Sequence, residues 1–520
     1  TLHYYDGAAS YAAAPTLAGN VTRQDRWDSR TGGYVTRRYG YDAYGNLASD
    51  TDELGRAQTF GYDDAFHVFR TRRCDALGRC TSATYDPALA VPLTEVDASG
   101  GVRAITYDAL GRVATETNPG SGTMTWQYLG WGDPQQQRIR QILPDGTPDG
   151  LWAEAYLDGA MRKYRFTREG GMQRDVVFSG MTTRVWKQSA WYAPATETPR
   201  FTVHAYDGAG RMVRTTNPDG SFAEVSYGDG LVRRANEVGD VTVEYRDGAG
   251  RPIQIVEENG AAAYVTRIRR DAAGRVIGRT DAAGRASSIT WDSLDRQVRT
   301  CDPDTGCWSY THDATGQVAT TTDAKGQVTA MQRDLVGRPT RKNLPDGTSV
   351  SWTYDEAGRG PVTGGDQPTS VTWATGSDSL SYDAAGRVVA STRCVLGDCR
   401  TQRWAYDALG RQTQTTYPTG EVVRWTYDAT GRLAAVPGYV TAMTWDARDQ
   451  LTSMTYANGV VQTYAYSPDR GALTSSMVTL GATRLYDAAY GYDSAGRVTS
   501  AASSTDPINN NGYAYDRLGR

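Results

Sequence analysis

The sequence predicts an all-β fold in which tandem β-hairpin repeats form a continuous spiralling sheet, either a hollow shell or a barrel-like wall. Three observations predict it: a recurring aromatic-Asp-x-x-Gly-Arg motif, a step of 21 residues between many of its copies, and a second turn signal midway between them. Turn signals therefore recur about every 10–11 residues, which is the spacing of successive short antiparallel strands.

Copies of the motif extend over most of the chain. Further copies begin at Tyr206, Tyr354, Tyr492 and Tyr515, while Trp291 and His312 take the place of the tyrosine in two degenerate copies. The copies that we take as the structural repeat are Tyr107, Asp108, Gly111, Arg112; Tyr382, Asp383, Gly386, Arg387; Tyr406, Asp407, Gly410, Arg411; and Tyr427, Asp428, Gly431, Arg432.

Each letter of the motif has a local physical role. We expect the aspartate to accept hydrogen bonds from backbone N–H groups two or three residues further on, which closes an Asx-type turn. The glycine supplies a positive φ angle that a side chain would penalise. The arginine is expected to lie along a neighbouring tyrosine ring and to pair with an aspartate of the next unit. These positions are interpreted as scaffold; rows of tyrosine and arginine that line a ligand surface are the alternative.

The second turn signal is rich in Pro, Asp, Asn and Gly, which favour tight turns. We expect a loop over 360–376, where the repeat lapses. The predicted organisation is a partial N-terminal repeat over 1–33, repeats over 34–128, longer irregular hairpins of the same sheet over 129–200, and repeats over 201–520. The midway turns are Pro144-Asp145-Gly146, Pro218-Asp219-Gly220, Asn259-Gly260, Pro345-Asp346-Gly347 and Asn458-Gly459.

The composition fits a thin wall better than a solid globule. Only 39% of residues are hydrophobic and the mean hydropathy is −0.56. Tyrosine is used 33 times against 7 phenylalanines, and tyrosine suits a half-buried position. The net charge is −4 without a basic block, so we expect no nucleic-acid partner, and no apolar run approaches the ~20 residues of a membrane span. The chain starts without Met and stops inside a motif, and we take it as a fragment.

The six cysteines form three close pairs: Cys74 with Cys80, Cys301 with Cys307, and Cys394 with Cys399. Each pair brackets a turn, and facing residues of a hairpin lie ~4.5–5.5 Å apart at Cα, close enough for a disulfide. We therefore predict three disulfides and an oxidising compartment. Free thiols beside turns are the alternative. A zinc site is disfavoured because no pair has the two-residue gap typical of one.

We identify no catalytic, cofactor-binding or metal-ligating residues, and we expect the chain not to be an enzyme. The four histidines, His3, His67, His204 and His312, are far apart in sequence, and no nucleophile motif accompanies them. No phosphate-binding glycine loop and no metalloprotease helix motif is present. Most carboxylates lie in turns, where they have a structural role.

The repeated Tyr-Asp-x-x-Gly-Arg motif at this spacing resembles the Rhs/YD-repeat family, over about Tyr34 to Arg520. The family includes bacterial Rhs and wall-associated polymorphic toxins, insecticidal toxin-complex cocoon subunits and the shell of animal teneurins. The resemblance implies a hollow β-shell, which in this family typically encloses a C-terminal toxin or, in teneurins, helps to form an adhesion ectodomain. The aspartyl self-cleavage segment of bacterial relatives and the variable toxin region after it have no match here, so the resemblance assigns no toxin activity to this chain.

Our first hypothesis is an encapsulating β-shell of an exported bacterial Rhs-type toxin, secreted or at the cell surface. Its partner would be the protein's own C-terminal toxin domain, which this chain lacks. The alternative is a cell-surface adhesion or carbohydrate-binding module, with a surface carbohydrate or a secretion-apparatus protein as its partner.

Overall fold

The structure is a computed structural model, and it describes residues 1–12, 18–144, 150–260, 262–360 and 367–520. These residues form 46 β-strands and one short 3-10 segment, Pro507–Asn509. Strands adjacent in sequence pair antiparallel almost without exception, beginning with β1–β2, β2–β3 and β3–β4. The predicted all-β fold with a continuous sheet of hairpins is therefore confirmed.

The strands of the first half of the chain are short and connected by tight turns. They are β1 Leu2–Tyr5, β2 Val21–Asp28, β3 Gly33–Tyr41, β4 Leu47–Thr51, β5 Ala57–Tyr62, β6 Arg70–Cys74, β7 Cys80–Asp86, β8 Val91–Val96, β9 Val102–Tyr107, β10 Val113–Thr117, β11 Thr123–Leu129, β12 Arg138–Leu143, β13 Leu151–Leu157, β14 Lys163–Arg168, β15 Met172–Phe178, β16 Val185–Ser189, β17 Phe201–Tyr206, β18 Met212–Thr216, β19 Phe222–Gly228, β20 Leu231–Ala235, β21 Val241–Arg246, β22 Pro252–Asn259, β23 Ala262–Arg270 and β24 Val276–Thr280.

The second half repeats this pattern. Its strands are β25 Ala286–Trp291, β26 Gln297–Asp302, β27 Gly306–His312, β28 Val318–Thr322, β29 Val328–Arg333, β30 Pro339–Asn343, β31 Ser349–Thr353, β32 Ser370–Trp373, β33 Gly376–Tyr382, β34 Val388–Val395, β35 Asp398–Tyr406, β36 Gln412–Thr416, β37 Val422–Arg424, β38 Thr426–Tyr427, β39 Leu433–Ala435, β40 Val440–Trp445, β41 Leu451–Tyr456, β42 Val460–Tyr466, β43 Leu473–Leu480, β44 Thr483–Tyr492, β45 Val498–Ala502 and β46 Asn511–Gly512.

The ladder is interrupted at two places. The first 37 strands form one sheet, β38 and β39 form a pair, and the last seven strands form a third sheet. The first interruption is a single residue: Trp425 lies between β37 and β38, and its N–H still donates to the carbonyl of Thr413 at 3.0 Å. An isolated bridge between Val436 and Val440 lies at the second interruption. The wall therefore continues through both interruptions.

Two sequence-based expectations need comment. The loop expected over 360–376 is wrong in its second half, because Ser370–Trp373 forms β32 and pairs with β31 and β33. This strand lacks the motif but still offers the β-branched and aromatic residues that favour strands. The turn predicted at Pro144-Asp145-Gly146 lies largely outside the described residues. Over 129–200 the structure has strands β12 to β16, and the proposed boundaries there stay predictions.

Long-range contacts show that the sheet winds back on itself. Side chains far apart in sequence meet at separations of 256 residues, as for Arg520 and Tyr264, up to 281 residues, as for Arg168 and Asp449. We call β1–β24 the first winding, β25–β46 the second winding, and the line along which they meet the seam. The seam joins the turns that follow even-numbered strands of the first winding to motif turns of the second.

The accessible surface is that of a wall. The chain exposes 28389 Å², about 1.5 times the ~18,600 Å² expected of a compact monomer of its 56.6 kDa. Buried apolar side chains, such as Ile105, Leu157, Val232 and Val440, are distributed along the sheet. A ribbon with water near both faces accounts for the low hydropathy and for the preference for tyrosine over phenylalanine.

Candidate functional site: the repeat turn and the seam

The repeat turn is a closed hydrogen-bonded unit. In the copy at 107–112, the carboxylate of Asp108 accepts from the N–H groups of Leu110 at 2.9 Å and Arg112 at 3.0 Å. Its second oxygen accepts from the Arg112 guanidinium at 2.8 Å. Gly111 has φ +73°, so the predicted positive-φ role is confirmed. The carboxylate thus accepts from the residues two and four positions after the aspartate. The residue three positions after it, Gly111, donates its N–H to the backbone carbonyl of Asp108 instead.

The aromatic residue ties one hairpin to the preceding one. The hydroxyl of Tyr107 donates to the carbonyl of Pro92 at 2.8 Å, and that of Tyr406 donates to the carbonyl of Val388 at 2.9 Å. Trp291 makes the same bond through its indole nitrogen, to Val276 at 2.8 Å. A register shift at the aromatic position, as at Tyr406, gives the extra residue of a β-bulge, and such bulges re-aim side chains.

The arginine links each turn to the next. The Arg112 guanidinium lies 3.9 Å from the centroid of the Tyr128 ring in the following unit, which confirms the predicted stacking. The predicted ion pair with an aspartate of the next unit is wrong for this copy, because Arg112 pairs with Asp108 of its own turn at 2.7 Å. The turn brings the side chains of Asp108 and Arg112, four residues apart in sequence, into contact. The guanidinium therefore does not have to extend to the next unit to find a carboxylate.

The other chosen copies repeat this geometry with small variations. Arg411 lies 4.3 Å from the Tyr427 ring centroid and pairs with Asp407 at 2.7 Å. Arg387 pairs with Asp383 at 2.7 Å and also donates to the carbonyl, not the carboxylate, of Asp407 in the next unit at 3.0 Å. The remaining members keep the same roles. The tyrosine hydroxyl donates to a carbonyl of the preceding hairpin, the glycine has a positive φ, and the aspartate and arginine pair within the turn. These residues are Tyr382, Gly386, Gly410, Gly431, Asp428 and Arg432.

These contacts shift the pKa values of the turn residues. The hydrogen bond from the Arg112 guanidinium outweighs partial desolvation and holds the pKa of Asp108 below its ordinary value. The same cause lowers the pKa of Asp271 beside Arg275 and that of Asp281 beside Arg285. Burial raises the pKa of Tyr107. The turns therefore hold charged carboxylates and neutral phenols near neutral pH, which suits cohesion rather than proton transfer.

The seam is held by ion pairs between the two windings. Because the acid belongs to the first winding in some pairs and to the second in others, the two edges are complementary and not uniformly charged. Gly120 shows how closely the edges approach, since a Cβ there would lie 2.6 Å from the backbone nitrogen of Ala385. The pairs are Asp28–Arg296 at 2.8 Å, Arg79–Asp355 at 3.2 Å, Arg168–Asp449 at 2.8 Å, Asp219–Arg470 at 3.4 Å, Asp240–Arg497 at 3.2 Å, and Arg200–Asp469.

Arg296 is the most buried of these seam arginines. Its guanidinium pairs with Asp292 of its own turn at 2.6 Å and with Asp28 of the first winding at 2.8 Å. The three residues are only 9%, 6% and 3% exposed, in the order Arg296, Asp292, Asp28. Reciprocal bonds between the N–H and hydroxyl groups of Ser29 and Ser293 lie beside them. A motif arginine has here become part of an interaction between windings.

Sequence reasoning missed the seam. Asp28 lies in no motif copy, and nothing in the local pattern separates the arginine at 296 from the same motif position elsewhere. The partners are separated by 268 residues, and that number depends on the curvature accumulated over many strands. The only available signal was that 291–296 departs from the consensus, with Trp291 for tyrosine and Asp295 for glycine.

The cysteines pair as predicted. Cys74–Cys80, Cys301–Cys307 and Cys394–Cys399 are disulfides, with Cα atoms 4.0 Å apart in each. The partners face each other in register across a hairpin, although at a shorter Cα distance than the 4.5–5.5 Å expected. All three hairpins follow even-numbered strands and so lie on the edge opposite the motif turns. The Cys74 pair is at the seam, whereas the other two lie on the outer edge of the second winding.

We expect the disulfides to act locally. Replacing Cys394 and Cys399 by serine should cost about 2–2.5 kcal/mol, the chain-entropy value for so short a loop, and hydrogen exchange should accelerate in that hairpin alone. The Cys301/Cys307 double serine variant is the matched control, and it should loosen only its own hairpin. Alkylation of the native, unreduced protein followed by mass spectrometry should find no free thiol, and six modified cysteines would contradict the pairing.

The histidines do not form a site. His67 stacks on Tyr44 with ring centroids 3.6 Å apart, and His204 contacts the hydroxyl of Thr215 at 3.2 Å. His312 keeps the aromatic position of the repeat, and burial lowers its pKa. Among the described residues no group of three potential metal ligands comes together, and no helix is long and apolar enough to cross a membrane.

Comparison with known families agrees with the motif. A family model described as the teneurin YD-shell matches residues 366–520, and one described as the RHS repeat matches residues 291–328. The matched segments carry the turns, stacked arginines and bonded aromatics described above. YD-shell and RHS-repeat sequence patterns are thus present in these two segments of the chain. A search of the curated proteins finds no match to this chain.

Solved structures share the fold of this β-hairpin wall. The crystal structure of TcdB2-TccC3-Cdc42 matches with a TM-score of 0.81 at 15% identity, over 96% of this chain and 34% of that one. TcdB2-TccC3 without its hypervariable C-terminal region gives 0.80 at 15%, over 96% and 34%. The Photorhabdus luminescens Tc holotoxin pore gives 0.79 at 16%, over 96% and 34%. The chain thus spans about a third of the length of the structures that it matches.

Proposed function

We propose that this chain is a section of an encapsulating β-shell that isolates a C-terminal toxin cargo, not present in this chain, in an exported bacterial protein. The observation that supports the proposal is the stacking of two windings of a single-layer sheet, joined edge to edge by complementary ion pairs. A sheet that is one layer thick and closes on its own edge separates an inside from an outside without an active site. We infer no enzyme activity for it.

The related fold supports the assignment. One structure of similar fold is TcdB2-TccC3 without its hypervariable C-terminal region, and this supports a variable C-terminal segment in the protein to which this wall belongs. Export agrees with the three disulfides, because disulfides persist in oxidising compartments. The mechanism is steric: a wall held by backbone ladders and ion pairs excludes proteases from whatever it encloses.

Two measurements test the proposal in order. Solution scattering should give a radius of gyration above the ~24 Å of a solid globule of this length, and a value at or below it would exclude a hollow wall. A reporter polypeptide that carries a protease site is then fused after Arg520. We expect the fused reporter to be cleaved more slowly than the same reporter added as a separate molecule to the unfused chain. If the fused and the separate reporter are cleaved at equal rates while the radius of gyration is large, the chain is a hollow wall but does not act as a container.

A further inference from the structure

The two faces of the second winding differ in chemistry. Residues paired in register lie on one face of a sheet, and their neighbours along the strand lie on the other. From β26 to β37, one face carries the repeat aromatics together with Trp308, Trp352 and Trp404. The opposite face carries mainly serine and threonine; for example, one registered row runs from Arg341 through Ser351 and Thr372 to Ser377. We call this second surface the hydroxyl face.

The hydroxyl face lacks the aromatic groups that hold large apolar partners. On the described strands from β26 to β37 no aromatic side chain lies on it, because the registered positions place those rings on the aromatic face. Threonine hydroxyls bond to each other across strands instead, as in Thr311 with Thr320 at 2.6 Å and Thr392 with Thr401 at 2.8 Å. A partner of this face must therefore be mainly polar, since its exposed valines, Val328 and Val422, lie on distant strands and form no apolar patch.

The charge on the hydroxyl face has one sign. Arg299, Arg341, Arg403 and Arg424 lie on it, and all four are exposed. None of them has a carboxylate within ion-pair distance among the described residues, and no carboxylate of the described strands β26–β37 lies on that face.

The aromatic face of the same strands differs. There the exposed Arg393 and Arg400 pair with Asp378 at 2.7 Å and Asp398 at 2.9 Å. The chain has 59 acidic and 55 basic residues, and most of its turn arginines pair with a carboxylate. A face that carries arginines but no acids therefore differs from the rest of the chain. Solubility alone does not account for it, because mixed charges on the aromatic face serve solubility equally well.

We propose that the hydroxyl face of the second winding is the docking surface for an acidic, extended polypeptide segment. Guanidinium groups bind carboxylates with two parallel hydrogen bonds, and the rows of hydroxyl groups offer donors and acceptors to a peptide backbone. Arg403 in β35 and Arg424 in β37 are two strands apart and two residues out of register, which together is about 11–12 Å. An extended chain covers that distance in about three to four residues, so the segment would carry an acid at about every third or fourth position.

Nucleic acid fits this face less well. Each strand of a duplex presents a phosphate about every 3.4 Å along the helix axis, whereas successive arginines of this face are separated by two to five strands. Single-stranded binding also uses aromatic platforms, and the rings of β26–β37 lie on the other face. The inference concerns the strands themselves and does not rest on the proposed cargo.

The test compares two triple variants with the same loss of charge. Arg341→Gln, Arg403→Gln and Arg424→Gln change the hydroxyl face. The control variant carries Arg393→Gln and Arg400→Gln on the aromatic face, together with Arg279→Gln in β24 of the first winding, which lies on the same side of the sheet. The probe is a labelled peptide of Gly, Ser and Glu with Glu at every third position, titrated against the full chain by fluorescence anisotropy. We expect the hydroxyl-face variant to bind about tenfold more weakly, the sum of three exposed ion pairs, and the aromatic-face variant to bind as the unsubstituted chain does.

Each other result overturns the proposal. Absence of peptide binding at physiological salt, equal binding by the two variants, equal affinity for a Gln version of the peptide, or tighter binding of single-stranded DNA would do so. Far-UV circular dichroism and melting of both variants establish that they are folded. All six substituted arginines are exposed on strands, so we expect the wall to keep its structure in both.

Discussion

Replacing Arg296 by alanine is expected to lower the stability of the wall by about 3–5 kcal/mol, the cost of leaving a buried charge without its partner. The substitution leaves the carboxylates of Asp28 and Asp292 buried beside each other at the seam, where Arg296 now bonds to both. Asp28 retains only the backbone N–H of Arg30, at 3.0 Å. The loss is thus an electrostatic penalty and not only a missing contact.

The readout must report on the seam, because units of a repeat array contact mainly their neighbours and unfold in parts. Hydrogen exchange at the amides of Ser29 and Ser293 serves this purpose, since each donates to the hydroxyl of the other across the seam, at 2.8 and 3.2 Å. We expect both amides to exchange faster in Arg296→Ala. Amides of β17 and β18, which are far along the sheet, should keep their protection.

Arg211→Ala is the matched control. Arg211 holds the same motif position, pairs with Asp207 of its own turn and lies 4.3 Å from the Tyr227 ring centroid, but its side chain is 52% exposed and is at no seam. We expect it to cost less than about 1 kcal/mol. Adding Asp28→Asn to Arg296→Ala should recover part of the loss, because the stranded charge is removed. Equal costs at positions 296 and 211, or no recovery, would contradict this account.

Arg211 and Arg296 also show how far the sequence could predict the structure. The motif encodes its own turn, so the Asx bonds, the positive φ of the glycine, the stacked arginine and the three disulfides followed from local patterns. The same letters cannot reveal which turn lies on another winding, because that depends on curvature summed over more than 250 residues of sheet. The expected pairing of the guanidinium with an aspartate of the next unit is present at Arg275, Arg338 and Arg432. It was misjudged at Arg112, where the turn itself places an aspartate nearer than the next unit does.

Acidification is the second large effect that the turns predict. Burial by itself would raise the pKa of Asp28, yet hydrogen bonds from Arg296 and from the N–H of Arg30 hold that pKa below its ordinary value. The turn aspartates, such as Asp108, also have lowered pKa values, through their arginines. Desolvation opposes the effect at Asp63 too, but hydrogen bonds from four backbone N–H groups bring its pKa to about 2.

A carboxyl group whose pKa is lower in the folded chain contributes stability that is complete above its unfolded pKa, about 3.9, and that is lost as the pH falls through the folded value. We therefore expect the melting temperature to be nearly constant from neutral pH to about 5 and to fall steeply below about 4. The steepness follows from the number of turns, because each protonated aspartate gives up a charge-assisted bond.

The seam should open before the sheet melts. Its joints are ion pairs between side chains, whereas neighbouring strands are also joined by backbone hydrogen bonds that do not titrate. On acidification we expect the radius of gyration to rise and the amides of Ser29 and Ser293 to lose protection, while the far-UV signal of the strands persists. The same titration of Arg296→Ala is the control: its two stranded carboxylates gain stability on protonation, so its deficit should shrink as the pH falls. A melting temperature that is the same at pH 7 and at pH 3 would show that the turn carboxylates carry none of the stability assigned to them.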